Sequence, residues 1–153
     1  MLFRSGKLIG VQNRNLSPLP ASPGGEETPR FRFPQGAQCG IYNLPVLNRL
    51  KTGDELYIAE GCSDCWSLLS SGHKAIAIPS ATLLTKKDAE LLSELSSSHR
   101  GEDGRGLFHM YPDKDTPGER LFLQLKEVLP NLVHHQLPLG CKDYSDLFVK
   151  MKK

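Results

Sequence analysis

From residue 54 onward the chain alternates short apolar runs with amphipathic stretches four times, and that alternation leaves few folds open. Leu56-Tyr57-Ile58-Ala59 reads as a first strand. Cys62, Cys65, Trp66 and Leu69 follow at i, i+3, i+4, i+7, the inner face of a helix capped by Ser63 and stopped by Gly72. Ala75 to Ile78 is a second strand, closed by Pro79. Thr85 and Asp88 form a capping pair for a helix through Leu91, Leu92 and Leu95. Residues 96–106 read as an exposed loop, and Leu107 to Tyr111 as a third strand. Thr116 as cap, Pro117 at the first helical position and Glu119 three after the cap open another helix. Phe122, Leu125 and Leu129 give it an inner face, and it stops before Pro130. Leu132 to Leu137 alternates as a fourth strand, with Val133, His135 and Leu137 on one side and the wetter His134 and Gln136 on the other, which suits a sheet edge. Asp143 caps a last helix from Tyr144 to about Lys152, with Leu147, Phe148 and Met151 inward. The pattern predicts an α/β fold: a mostly parallel sheet of about four strands flanked by helices.

Residues 1–40 differ. Leu2-Phe3, a turn at Ser5-Gly6-Lys7, and Leu8 to Val11 read as a hairpin. Residues 17–36 carry Pro and Gly too often for a long helix or central strand. Within them Arg30-Phe31-Arg32-Phe33 alternates basic and aromatic groups, either an edge strand with its rings inward or a strand that lays Arg30 and Arg32 against nucleic acid. The net charge of +2 is unevenly spread. Residues 1–40 hold five Lys/Arg against two acids, and the remainder fourteen against fifteen. Ile41 to Leu50, with Leu44, Leu47 and Leu50 in register and Pro45 in its first turn, reads as a short helix. The expected division is therefore an N-terminal hairpin and Pro/Gly-rich segment at 1–40, and an α/β domain at 41–153.

Cys62 and Cys65 form a CxxC with no second pair and no nearby His pair, so zinc is not expected. Reduced thiols suit a cytoplasmic protein. No apolar run approaches the roughly 18 residues of a membrane span.

In an open parallel sheet, ligands gather at the carboxyl ends of the strands. The first strand ends in Glu60-Gly61, with Asp64 one turn further on. The third runs into Asp113-Lys114-Asp115, and the fourth is followed by Gly140-Cys141-Lys142-Asp143. If the first and third strands are neighbours, Glu60, Asp113 and Asp115 share one small volume. Carboxylates held that close repel strongly unless a hard dication neutralises them, and an all-oxygen donor set suits Mg²⁺ or Mn²⁺. Residues i and i+2 of an extended Asp-x-Asp project to one side, as a shared ion requires. Each acid also has a structural reading: Asp64 against a helix dipole, Asp113 and Asp115 as turn formers beside proline. Lys114 and Lys142 could meet phosphate or solvent.

Ile58-Ala59-Glu60-Gly61-Cys62-Ser63-Asp64, then Gly72-His73-Lys74-Ala75-Ile76-Ala77, then Tyr111-Pro112-Asp113-Lys114-Asp115-Thr116-Pro117-Gly118 resembles the Toprim domain, in the form found in DnaG-like and phage-type primases. Leu137 to Leu147 is similar to the ending of primase-type Toprim domains. Gly6 to Arg14, Pro29-Arg30-Phe31 and Gly40 to Asn43 are similar to the stretch that precedes Toprim in those primases, with Phe31 where Tyr is usual. Lys114 departs from the small residue common at the centre of the acidic motif. The resemblance implies nucleotidyl transfer for primer synthesis in DNA replication, with Glu60 as general acid/base or metal ligand, Asp113 and Asp115 holding Mg²⁺ (or Mn²⁺), and Asp64 supporting them. It implies nucleic-acid or nucleotide contacts at Arg14, Arg30, Arg32, Lys114 and Lys142. The partners implied are a single-stranded DNA template, nucleoside triphosphates and a replicative helicase. Full primases also carry a large basic subdomain and a zinc module, so a piece of a longer protein, or a stand-alone module that cannot prime unaided, is expected, with a mobile element as a source. A Toprim-type metal-dependent nuclease or strand-cleaving enzyme and a non-catalytic module that binds nucleic acid or a replication partner are the alternatives.

Overall fold

The computed structural model describes residues 40–78, 84–98 and 107–153 in full, with the backbone of four short strands before them. Strands β1 (Leu2–Arg4) and β2 (Lys7–Gly10) pair antiparallel as the expected hairpin. β3 (Asn13–Arg14) and β4 (Phe31–Arg32) form a second antiparallel pair, with Arg14 opposite Phe31. Arg30 lies outside the described residues, as do Pro79 and residues 99–106. Ile41 to Leu50 contains a 3₁₀ turn at Leu44–Arg49, begun by Pro45 near its start and by Asn43 in the left-handed region at φ 60°. The Asn43 amide donates to Ala75 O at 2.8 Å, which fixes the turn against the sheet.

The domain proper is β5 (Leu56–Ala59), α1 (Cys62–Ser70), β6 (Lys74–Ala77), α2 (Lys86–Ser98), β7 (Phe108–Met110), α3 (Thr116–Val128), β8 (Val133–His134) and α4 (Tyr144–Met151). The strand order is β6-β5-β7-β8, and every pair is parallel. A parallel sheet needs cover on both faces, and the strands supply it by alternation. Leu56, Ile58, Ile76, Phe108 and Met110 pack with Leu92, Leu121, Leu125 and Leu129 of α2, α3 and the residue after α3. Tyr57, Ala59, Ala75 and Ala77 face Cys65 and Leu68 of α1 and Tyr144 of α4. The alanines on this second face leave room for α1 to lie close to the sheet.

Helix ends follow the sequence signals with instructive exceptions. The Thr85 hydroxyl donates to Asp88 Oδ2 at 2.7 Å and accepts from the Asp88 N–H at 3.2 Å, the expected capping pair. The helix they start extends through Ser98, past the expected loop start at 96. Gly72, at φ +88°, closes α1: its N–H bonds Leu69 O and the His73 N–H bonds Leu68 O. Ser63 does not cap α1; Gly61 is the cap residue, with no side-chain bond. The inner face of α1 is Asp64, Cys65 and Leu68, while Trp66 and Leu69 point outward. The expected 62/65/66/69 stripe was turned because Asp64 is drawn inside by bonds described below. α3 is capped by Asp115, one residue before Thr116, and this removes Glu119 from a capping box. Leu121 joins Leu125 and Leu129 in its buried face. On α4, Asp143 caps as expected and accepts from the Asp146 N–H at 2.8 Å. Met151 is exposed, and Tyr144 supplies the buried contact instead. β8 is a short edge strand, prolonged by a bond from the His135 N–H to Met110 O. Among the described residues no helix is long and apolar enough to cross a membrane.

Leu125 is fully buried and Leu123 on the same helix is 63% exposed. Leu125→Ala is expected to cost about 2–5 kcal/mol in urea unfolding, and Leu123→Ala less than about 0.5 kcal/mol.

Candidate functional site

The chain passes from β5 to β6 on one side and from β7 to β8 on the other, so its direction of travel across the sheet reverses between β5 and β7. Open α/β sheets bind ligands outside the strand ends at such a point. Ile58 is paired with Met110, so the carboxyl ends of β5 and β7 are level. Glu60 leaves the first and Asp113 the second.

The first turn of α3 brings them together. A methyl group at Gly118 would stand 2.7 Å from Glu60 Oε1 and 2.9 Å from the Asp113 amide nitrogen, and against the Asp113 carbonyl. The Glu60 carboxyl and the Asp113 backbone thus border a single point that only a glycine vacates. Asp115 Oδ1 accepts from the Gly118 N–H at 3.0 Å, and the Asp115 N–H bonds Asp113 O at 2.8 Å. The second Asp of the motif is therefore a helix cap through one oxygen and keeps the other. Asp64 lies behind, buried, with Oδ1 accepting from Ser145 N–H at 2.9 Å and Ser145 Oγ at 2.7 Å.

Burial first, then Asp115 and Asp64, push the Glu60 carboxyl up to about 7, against an opposing pull from Lys142. Burial, then Glu60, Asp64, Asp143 and Asp115, push Asp113 up to about 8. Burial raises Asp64 as well, with the Ser145 bonds working against it. Glu60 Oε1 is buried and has no hydrogen-bond partner. The group is therefore short of positive charge, and its oxygens suit a hard cation. Among the described residues, no three His, Cys, Asp or Glu side chains converge closely enough to hold one ion between them.

Lys114 does not reach into this volume. Its ammonium donates to Pro138 O at 2.8 Å and its N–H to Lys142 O at 2.9 Å, so it braces the acidic loop against the loop before α4. Lys142 is exposed but near enough to act on Glu60. Arg14 and Arg32 stand on the β3–β4 ribbon, and Arg30 lies outside the described residues. Gly118 and Ser145 were not singled out from the sequence. Gly118 carried a readable signal, a glycine inside a well-capped helix start; Ser145 carried none.

A row of rings runs across the sheet from β5 to β8. His109 Nδ1 and His135 Nε2 are 2.9 Å apart, so one ring donates and the other accepts. Tyr111 packs between His135, at 4.7 Å between centroids, and Tyr144, at 5.0 Å.

No protein-family model and no curated protein matches the chain. Solved structures do. A DNA primase domain from Pseudomonas aeruginosa superposes with a TM-score of 0.64 at 20% identity, over 96% of this chain and 44% of that one. The DnaG primase catalytic domain bound to ssDNA gives 0.63 at 22% identity, over 98% of this chain and 47% of that one. The chain has the fold of DnaG-type primase catalytic domains. It spans less than half the length of either primase structure, and at these identities the likeness is one of fold. The four-stranded parallel sheet flanked by helices is the α/β architecture expected from the sequence.

Glu60 and Asp113 hold their protons further up the pH scale when folded than the ordinary 4.5 and 3.8. Across that window the folded state binds more protons than the unfolded one. Without divalent metal, stability therefore falls as pH rises from the ordinary values through about 7 and about 8. In EDTA, Asp113→Asn is expected to melt a few degrees above the wild type at about pH 9, and the gap is expected to close as pH falls below about 4. Gly118→Ala is expected to lose about 1–3 kcal/mol in thermal or urea unfolding, because the new methyl group meets backbone that cannot swing aside.

Proposed function

We propose that this chain is the Toprim segment of a DNA primase and carries out metal-dependent nucleotidyl transfer. The observation that carries the reading is the meeting of Glu60 with the Asp113 loop at adjacent parallel strand ends, with Glu60 Oε1 buried and unbonded. Asp113 and the uncapped oxygen of Asp115 would hold Mg²⁺ or Mn²⁺, and Glu60 would act beside them as general acid/base. When bound, such an ion neutralises charge on a transferring phosphoryl group and on the attacking oxygen. Glu60, held near neutrality, can take a proton from a 3′-hydroxyl at the pH where it works. Asp64, fixed by Ser145, supplies negative charge from behind without occupying space in front. Lys114 keeps the two aspartates in place through Pro138 and Lys142.

The reading takes a single-stranded DNA template and nucleoside triphosphates as substrates, and a replicative helicase as partner. Residues 1–40 would belong to the end of an N-terminal primase subdomain and 41–153 to Toprim, with Arg14, Arg30 and Arg32 along the nucleic acid and Lys142 toward phosphate. One of the structural neighbours was solved with ssDNA bound, which supports a single strand as the partner.

Mn²⁺ binding by the chain, followed by electron paramagnetic resonance or calorimetry, tests the site directly. Asp113→Asn and Glu60→Gln are each expected to weaken it at least about tenfold. Equal affinity in wild type and both variants would end the assignment. Nicking of labelled DNA without nucleotides would move it to a Toprim nuclease.

A further inference from the structure

Trp66 is 55% exposed. A lone exposed apolar side chain is ordinary, but this one is held the wrong way round for a solvated tryptophan. Amphipathic side chains keep the polar tip in water and lay the apolar body on protein. Here the indole Nε1–H is turned onto the protein's own surface and donates to Tyr42 Oη at 2.7 Å. The rings meet edge to face, 6.4 Å between centroids at 74°. Tyr42 is itself fixed: its N–H bonds Ala77 O at 2.7 Å, its carbonyl accepts from Ala77 N–H at 3.3 Å, and its ring packs on the α1 side of the sheet. The indole has thus spent its one polar atom and offers a flat apolar surface in a fixed orientation.

Its position suits nucleic acid. Trp66 stands one turn into α1, the helix that begins straight after Glu60 and Gly61, and Tyr42 bridges to the last residue of β6. The platform is therefore at the same end of the sheet as the acids. β1, from the stretch of sequence that holds five Lys/Arg against two acids, lies against the 3₁₀ turn that follows Tyr42. A ligand with flat unpaired faces and a polyanionic backbone matches both features.

We infer that Trp66, oriented by Tyr42, is a stacking platform for an unpaired base of single-stranded nucleic acid crossing the carboxyl end of the sheet. This rests on the single-strand template of the function proposed above. Trp66 is the only tryptophan of the chain, so intrinsic fluorescence reads the platform alone. Titration of the full chain at low salt with oligo(dT) of about ten nucleotides is expected to quench it saturably. An abasic strand of equal length is expected to leave it unchanged. By anisotropy of labelled oligo(dT), Trp66→Ala is expected to weaken binding roughly ten- to hundredfold, Tyr42→Phe severalfold, and Trp66→Phe least. Equal quenching by the abasic strand, or unchanged affinity in Trp66→Ala, would overturn the inference. Mn²⁺ affinity, expected to be untouched by Trp66→Ala, reports on the catalytic reading separately. Failed stacking with Mn²⁺ still bound removes the platform alone; base-dependent quenching without Mn²⁺ binding keeps the platform and removes the polymerising chemistry.

Discussion

Carboxylates crowded into a half-buried volume repel one another, and much of this domain is arranged around that cost. Glu60 and Asp113 meet because β5 and β7 are parallel neighbours with level ends. Three helices, α1, α3 and α4, begin beside the cluster, and each presents its positive end to an acid: Asp64 in the first turn of α1, Asp115 capping α3, Asp143 capping α4. These helix starts satisfy part of the negative charge. The raised Glu60 and Asp113 show that they do not satisfy all of it.

The regular elements were legible because their causes are local. Period-2 and period-3.6 apolar patterns, the Thr85/Asp88 pair, Gly72 and Asp143 each act within a few residues, and the elements appear where those signals stand. The adjacency of Glu60 and Asp113 was legible only as a conditional. Alternation of strand and helix fixes that a sheet is parallel, but strand order is decided by which faces fit, and β7 could be placed beside β5 only by the structure.

Two features could not be read locally, because they rest on contacts made across long stretches of chain. Asp64 turns α1 because Ser145, 81 residues away, offers it two donors. Lys114 is a brace because the carbonyls of Pro138 and Lys142 happen to face it. The α3 cap fell one residue early for a different reason. Asp115 and Thr116 are both good caps, and the carboxylate was chosen where its oxygen also meets the Gly118 N–H. In each case the residues that broke the local pattern belong to the acidic cluster or support it.

The anchoring of α4 has a consequence for motion. Tyr144 of that helix is buried, and Leu147 and Phe148 pack half-buried against the same cluster. Its first turn is tied down as well, where Asp143 bonds Asp146 and Ser145 bonds Asp64. Fraying of this terminal helix would strip Asp64 of both donors and set free a buried charge beside Glu60. The cluster and the C-terminal helix are thus one cooperative unit for local opening, and amide exchange in the first turn of α4 reports on the order of acids that lie on the far side of the chain.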